Sequence, residues 1–205
     1  HNELREDENR EHNDVWKEYE LAKSSETSGK TIEEIEEHKQ ITEGIVLKQW
    51  LSDKMISRTV NLAKKHISNG EKVIIMCSFD NEIKKLKEEF GDSCVVYNGK
   101  MTAKKKEKSQ SEFMNDDSKK VFIGNIISAG VGITLTSANI CIFNSFSFVP
   151  GDNLQAQDRI HRLNQTKDCI VYYQVFSNTY YEDIFNTVMS KKEVIDNIII
   201  KEKNK

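Results

Sequence analysis

Arginine is scarce in this chain, with five residues against 25 lysines. Lysine serves where charge alone is needed, so each arginine asks for a reason of its own. Cysteine is equally sparse: Cys77, Cys94, Cys141 and Cys169 lie in apolar, β-rich runs and show no CxxC spacing. That excludes a zinc ribbon or a disulfide framework and fits buried, reduced thiols in a cytosolic protein. No apolar run approaches the ~20 residues of a membrane-spanning helix, and no charged-then-apolar signal segment opens the chain. It opens on His1 rather than Met, as a fragment or processed chain would. A phosphate-binding loop is missing too. The run Ser24-Ser25-Glu26-Thr27-Ser28-Gly29-Lys30-Thr31 ends in Gly-Lys-Thr, yet it lacks a P-loop's first glycine and follows a polar stretch where a buried strand is needed. Phosphoryl transfer requires a phosphate cradle, magnesium ligands, a water-positioning carboxylate and charge stabilisers. Only the last of these is on offer, since no strand leads into a paired-carboxylate magnesium site.

The 205 residues are 37% apolar and 31% charged, enough to bury one substantial core with an appendage. The net charge of −3 hides an asymmetry: residues 1–43 carry 14 Asp/Glu against 6 Lys/Arg, and the remainder is net basic. A DNA-binding body with an acidic appendage has this pattern, as do many ordinary proteins. Residues 3–43 offer Val15, Trp16, Tyr19 and Leu21 as their main apolar anchors and read as one or two solvated helices. Ser28 or Thr31 would cap a helix running through Ile32, Ile35 and Glu36. The expected boundary separates an acidic helical appendage and linker at 1–46 from a body at 47–205.

Within the body, apolar residues recur at helical spacing over 47–67 and Asn69-Gly70 stops that helix. Residues 72–79 form a β-branched run of buried-strand type, and Ser78 stands at its C-terminal end, where an α/β sheet places ligand contacts. A helix over 82–90 and a strand over 94–97 follow. Asn98-Gly99-Lys100-Met101-Thr102 then leads into Lys104, Lys105, Lys106 and Lys108. Such a cluster is either a solvated helix face or a row of phosphate contacts, and the loop at a strand end favours the second. Further strands are expected at 121–123, 140–143 and 169–176, with an amphipathic helix over 181–199. Alternating strands and helices argue an α/β domain with a mainly parallel sheet flanked by helices.

The stretch around which these elements are organised runs from Ile127 to Gln165. A glycine loop, Ser128-Ala129-Gly130-Val131-Gly132, follows the strand at 121–123, and the glycines permit close backbone approach to a ligand. After the turn at Pro150-Gly151, Asp152 is placed to cap a helix with Gln155 as its capping-box partner. On that helix Gln155, Arg159 and Arg162 fall at i, i+4 and i+7, on one face, while Ala156, Ile160 and Leu163 line another. Two of the five arginines thus stand three residues apart. They form either a salt-bridged surface or a pair of planar forks for phosphate oxygens.

These residues resemble motifs V and VI of superfamily 2 helicases, specifically of the Swi/Snf family of double-stranded DNA translocases. That family's motif VI reads QxxxRxHRxGQ after a WNP-type turn. Here Phe148-Val149-Pro150 precedes QAQDRIHRLNQ, with Asn164 in place of glycine. Residues 72–79 are similar to motif IV, Asn98 to Thr102 to the family's DGSTS motif with Lys106 where an arginine is usual, and Lys54 to a lysine ahead of the first strand. The resemblance covers about residues 47–199. It implies a RecA-like second lobe that works with an ATP- and magnesium-binding first lobe of the same polypeptide. Arg159 and Arg162 would act as arginine fingers on the γ-phosphate, and Gly130, Gly132 and Gln155 would shape the nucleotide-facing edge. Ser78, Lys100, Thr102, Lys106 and Ser128 would line one strand of duplex DNA, with no metal held by this lobe. The alternatives are a non-catalytic nucleic-acid-binding adaptor lobe and a lobe of a strand-separating helicase. The Lys, Asn and Ile bias points to an AT-rich bacterial or phage genome and a cytoplasmic setting.

Overall fold

The structure, a computed structural model, describes residues 32–129, 132–162, 165–179 and 181–190, with side chains from Gly44 onward. The Gly-Lys-Thr run and most of the acidic appendage lie outside the described residues, as do Gly130, Val131, Leu163, Asn164 and the end of the last helix.

The first helix, α1, spans Ile32–Ser68 without interruption. The expected boundary at 46/47 falls in its middle. Gly44 is the only helix breaker along it, and one glycine costs only about 1 kcal/mol. Leu47, Leu51 and Met55 enter one core, while Ile56, Val60 and Ala63 enter another. Asn69 and Gly70 end the helix as expected, their amides bonding the carbonyls of His66 and Ile67.

Five strands follow in one parallel sheet of order β2-β3-β1-β4-β5: β1 Val73–Cys77, β2 Cys94–Tyr97, β3 Val121–Asn125, β4 Ile140–Phe143 and β5 Ile170–Tyr173. Register pairs Val73 with both Val121 and Ile140, so the central strand is enclosed on both sides. Alternate residues feed alternate faces. Val73, Ile75 and Cys77 meet α1 and α2 (Asp80–Phe90) through Ile83, Leu86 and Phe90. Ile74 and Met76 face Phe113 of α3 (Ala103–Asn115), Ile126 and Ala129 of the short α4 (Ile126–Ala129), and Ala156 of α5 (Pro150–Gln157). Residues 181–190 are helical and complete this second face with Tyr181, Ile184 and Val188. There Phe146 stacks on Tyr181 at 4.5 Å and meets Phe185 edge-on. The expected strand and helix order is therefore present, as a RecA-like α/β sheet covered on both faces.

Candidate nucleic-acid and nucleotide interface

Parallel strands deliver all their C-terminal ends to one edge, and the candidate residues collect there. Ser78 leaves β1 half-buried, with both its backbone groups engaged. Its amide donates to Glu82 Oε2 at 2.9 Å and Ser145 Oγ at 2.7 Å, and its carbonyl accepts from Asn125 Nδ2 at 3.2 Å. Its hydroxyl oxygen accepts from Lys48 Nζ at 3.2 Å. The loop after β2 closes on the same corner. A Cβ at Gly99 would stand 3.1 Å from Ser128 Oγ, closer than ordinary packing allows, so glycine lets that loop touch α4. Lys100 reaches back to Asp80, at the start of α2, with Nζ and Oδ2 2.6 Å apart. Ser78, Lys100 and Ser128 are thus brought to one rim.

Thr102 has a local task as well: it is the N-cap of α3, its hydroxyl accepting from Lys105 N at 3.4 Å. Lys104, Lys105 and Lys108 are exposed, whereas Lys106 is half-buried with its ammonium 5.3 Å from the Tyr97 ring centre. Lys104 and Lys105 therefore point their charge at solvent, Lys108 stands 3.6 Å from Glu112 Oε1, and Lys106 divides its surface between packing and solvent.

The arginine-bearing segment differs from the expected helix in three ways. Val149, not Asp152, is the N-cap of α5, and Pro150 takes its first turn. Asp152 instead accepts from Ser147 Oγ at 2.7 Å. The helix then ends at Gln157, before either arginine, so Gln155, Arg159 and Arg162 do not share a helical face. The cause is local. Continuing the helix requires the Arg159 amide to bond the Gln155 carbonyl, but Arg159 Nε takes that carbonyl at 2.8 Å while its amide bonds Ala156 O at 3.3 Å. Arg159 is only 8% exposed. Its Nη1 donates to Ile133 O at 3.2 Å and its own carbonyl accepts from Leu135 N at 3.0 Å. An arginine finger in a lone lobe is expected to be partly exposed, with no full set of internal partners; Arg159 is instead buried, and its guanidinium pins the loop after Gly132 to the end of α5. Burial, with neighbouring Arg162 adding to it, pulls the Arg159 pKa below its usual value.

Arg162 and Gln155 are exposed. Gly132 has a φ of 72°, the left-handed backbone that glycine adopts without strain. Gln165, at the end of the motif, works as a staple: Nε2 reaches Ala138 O at 2.8 Å and Ile160 O at 3.2 Å, and Oε1 accepts from Lys167 N at 3.0 Å.

Sequence reasoning missed a buried polar group behind the rim. Glu82, with no exposed surface, accepts from the amides of Ser78 and Phe79, from Ser145 Oγ and from Asn144 Nδ2. Burial pushes its carboxyl above the usual range while these donors and Lys48 pull it back. Lys48 is 4% exposed, lies 4.4 Å from the Phe148 ring centre, and burial lowers its ammonium to about 8 against the pull of Glu82. A cleft of about 230 Å³ opens above it, lined by Ile45, Ser78, Asn125, Ile127 and Phe148. The sequence carried no capping-box signal for this arrangement, because Phe79 at the N-cap has no side-chain acceptor and only the bond from its amide to Glu82 is made.

Residues 53–164 match the helicase conserved C-terminal domain. Among curated relatives, the fission yeast ATP-dependent helicase fft1 is 31% identical over 140 residues, 67% of this chain and 15% of that protein. The human lymphoid-specific helicase is 35% identical over 103 residues, half of this chain and 12% of that one. The chain spans only 5 to 15% of the length of the curated relatives compared. A solved Sulfolobus solfataricus SWI2/SNF2 ATPase core in complex with double-stranded DNA superposes with a TM-score of 0.71 at 22% identity, over 96% of this chain and 44% of that one. The C-terminal domain of the archaeal ATPase alone gives 0.66 at 19% identity, over 92% and 84%. The fold and the match together define a RecA-like second lobe of a superfamily 2 helicase. The chain belongs to the helicase conserved C-terminal domain family, in its Swi2/Snf2 branch. No helix among the described residues is long and apolar enough to cross a membrane.

Proposed function

We propose that this chain is the second motor lobe of a Swi/Snf-type ATP-dependent double-stranded DNA translocase, working against an ATP-binding first lobe of the same polypeptide. The observation that carries the reading is the pairing of two groups on one sheet edge. Ser78, Lys100 and Ser128 gather at the strand ends, and α4, which carries Ser128, packs against α5, beyond which Arg162 stands exposed. ATP, bound with magnesium by the first lobe, supplies the free energy of each step. What this lobe brings to the reaction is positive charge, at the exposed Arg162. Arg162 presents a planar fork to the γ-phosphate when the lobes close, with Gln155 and Gly132 bordering the nucleotide. Arg159 serves the same reaction by holding the loop after Gly132. The rim of Ser78, Lys100, Thr102, Lys106 and Ser128 follows one DNA strand through its phosphates, and closure and reopening of the cleft shift the lobes along the duplex.

Two measurements test this. In a phosphate-release assay with ATP, magnesium and duplex DNA, the 205-residue chain alone is expected to show no turnover, and a protein carrying both lobes to show duplex-stimulated turnover. Robust hydrolysis by this chain alone removes the two-lobe reading. The second measurement follows duplex affinity with salt. Replacing Lys104, Lys105, Lys106 and Lys108 together by Gln should flatten the slope of log affinity against log salt by about 0.9 for each lysine that meets a phosphate. An unchanged slope returns the cluster to a solvated helix face.

A further inference from the structure

Glu82 does more than cap α2. The usual reach of an N3 glutamate to the N-cap amide accounts for Phe79 at 2.8 Å, but the carboxylate also takes the Ser78 amide and two side chains of the loop after β4, Asn144 at 2.6 Å and Ser145 at 2.8 Å. All four partners donate, so the site requires a group that only accepts, which an ionised carboxylate is. Asn144 is fixed in turn by α1: its Oδ1 accepts from Thr59 Oγ1 at 2.6 Å and its Nδ2 donates to Ser52 O at 3.1 Å. The loop carrying Ser78, the loop after β4 and α1 therefore form one frame. Replacing a buried charge by apolar packing is often neutral or stabilising, so stability alone is a weak reason for this arrangement.

Into the frame reaches Lys48, the cation beside this carboxylate. Its ammonium donates to Ser78 Oγ while sitting over the Phe148 ring and 5.3 Å from that of Phe79. A hydroxyl that accepts from an ammonium cannot direct its own proton there. The Ser78 proton is thereby left for another acceptor, Ser78 lines the open cleft, and the positive charge behind the hydroxyl strengthens it as a donor. We propose that Lys48 is a positioning residue for the nucleic-acid strand: buried, it holds the Ser78 hydroxyl as a hydrogen-bond donor to a phosphodiester oxygen, within a backbone frame fixed by Glu82. This rests on the reading that Ser78 borders the DNA.

The test measures binding of the 205-residue chain to a fluorescent duplex by anisotropy across a salt series, for Ser78→Ala, Lys48→Met and the double variant. Each single change is expected to weaken binding about tenfold, the worth of one hydrogen bond to a charged partner. The double variant should be no weaker than either single one, because Lys48 acts through Ser78. The salt slope of Lys48→Met should match that of the unaltered chain, whereas a lysine meeting a phosphate itself would lower it by about 0.9. Additive losses, a lowered slope, or normal affinity in Lys48→Met with Ser78→Ala impaired would each overturn the positioning role and leave the DNA reading standing. Normal affinity in Ser78→Ala would overturn the contact at Ser78 and the proposal with it. If Lys48→Met melts below the assay temperature, Lys48→Gln, neutral but polar, takes its place under the same comparisons.

Discussion

Arg162→Lys is expected to lower duplex-stimulated ATP turnover by roughly 10³–10⁵ in a protein carrying both lobes, while the melting temperature of the 205-residue chain stays where it was. The two halves of this result have separate causes. Arg162 is exposed, just beyond the end of α5, so this lobe loses no buried packing when it changes. Lysine keeps the charge but not the planar fork, which carries paired hydrogen bonds to phosphate oxygens. A stopped-flow or steady-state phosphate assay reads the first half and a thermal melt the second. Normal turnover in the variant, or an early melt of the isolated chain, would take Arg162 out of the reaction.

Arg159 three residues earlier is expected to behave in the opposite way. Arg159→Ala strands the carbonyls of Gln155 and Ile133, which its Nε and Nη1 now satisfy. Hydrogen bonds from a charged donor contribute about 1.5–3 kcal/mol each, so the loss should total roughly 3 kcal/mol or somewhat more. For a chain of this size that corresponds to a melting point about 6–12 °C lower. Lysine in its place lacks the planar fork that serves the two carbonyls from separate nitrogens and should recover only part of the loss. A melting curve unmoved by Arg159→Ala would mean that the guanidinium is free to leave this position at little cost. The contrast between two arginines of one motif is the sharper test, because both are read by melts of the same 205-residue chain.

The sheet was legible because a parallel sheet covered on both faces leaves its strands as unbroken β-branched runs. Residues 94–97 and 140–143 were read with the bounds the structure gives them. Helix ends were less legible, and α5 shows why. The sequence QAQDRIHRLNQ keeps helical spacing to its end, and nothing within it says that Arg159 will take the Gln155 carbonyl or that the loop at Ile133 and Leu135 will capture Arg159. That competition is tertiary. Glu82 was hidden by composition instead: in a helix reading DNEIKKLKEEF, one more glutamate looks like a solvated face. Only the folded chain shows that this one meets four donors. At the rim, Ser78, Lys100 and Ser128 were expected together and stand together, since strand ends and their order decide that placement.

The unbroken run of α1 has a mechanical corollary. From Leu47, which is anchored in the core, back to Ile32 the helix extends roughly 22 Å at 1.5 Å per residue. A helix resists bending far more than a loop does, so this segment is a lever arm fixed to the sheet through Leu47, Leu51 and Met55. A rotation of the lobe by about ten degrees carries its tip roughly 4 Å further than its anchored end, by the geometry of a rigid rod. The tip of α1 at Ile32 is therefore geared to the sheet, its displacement enlarged by the length of the rod.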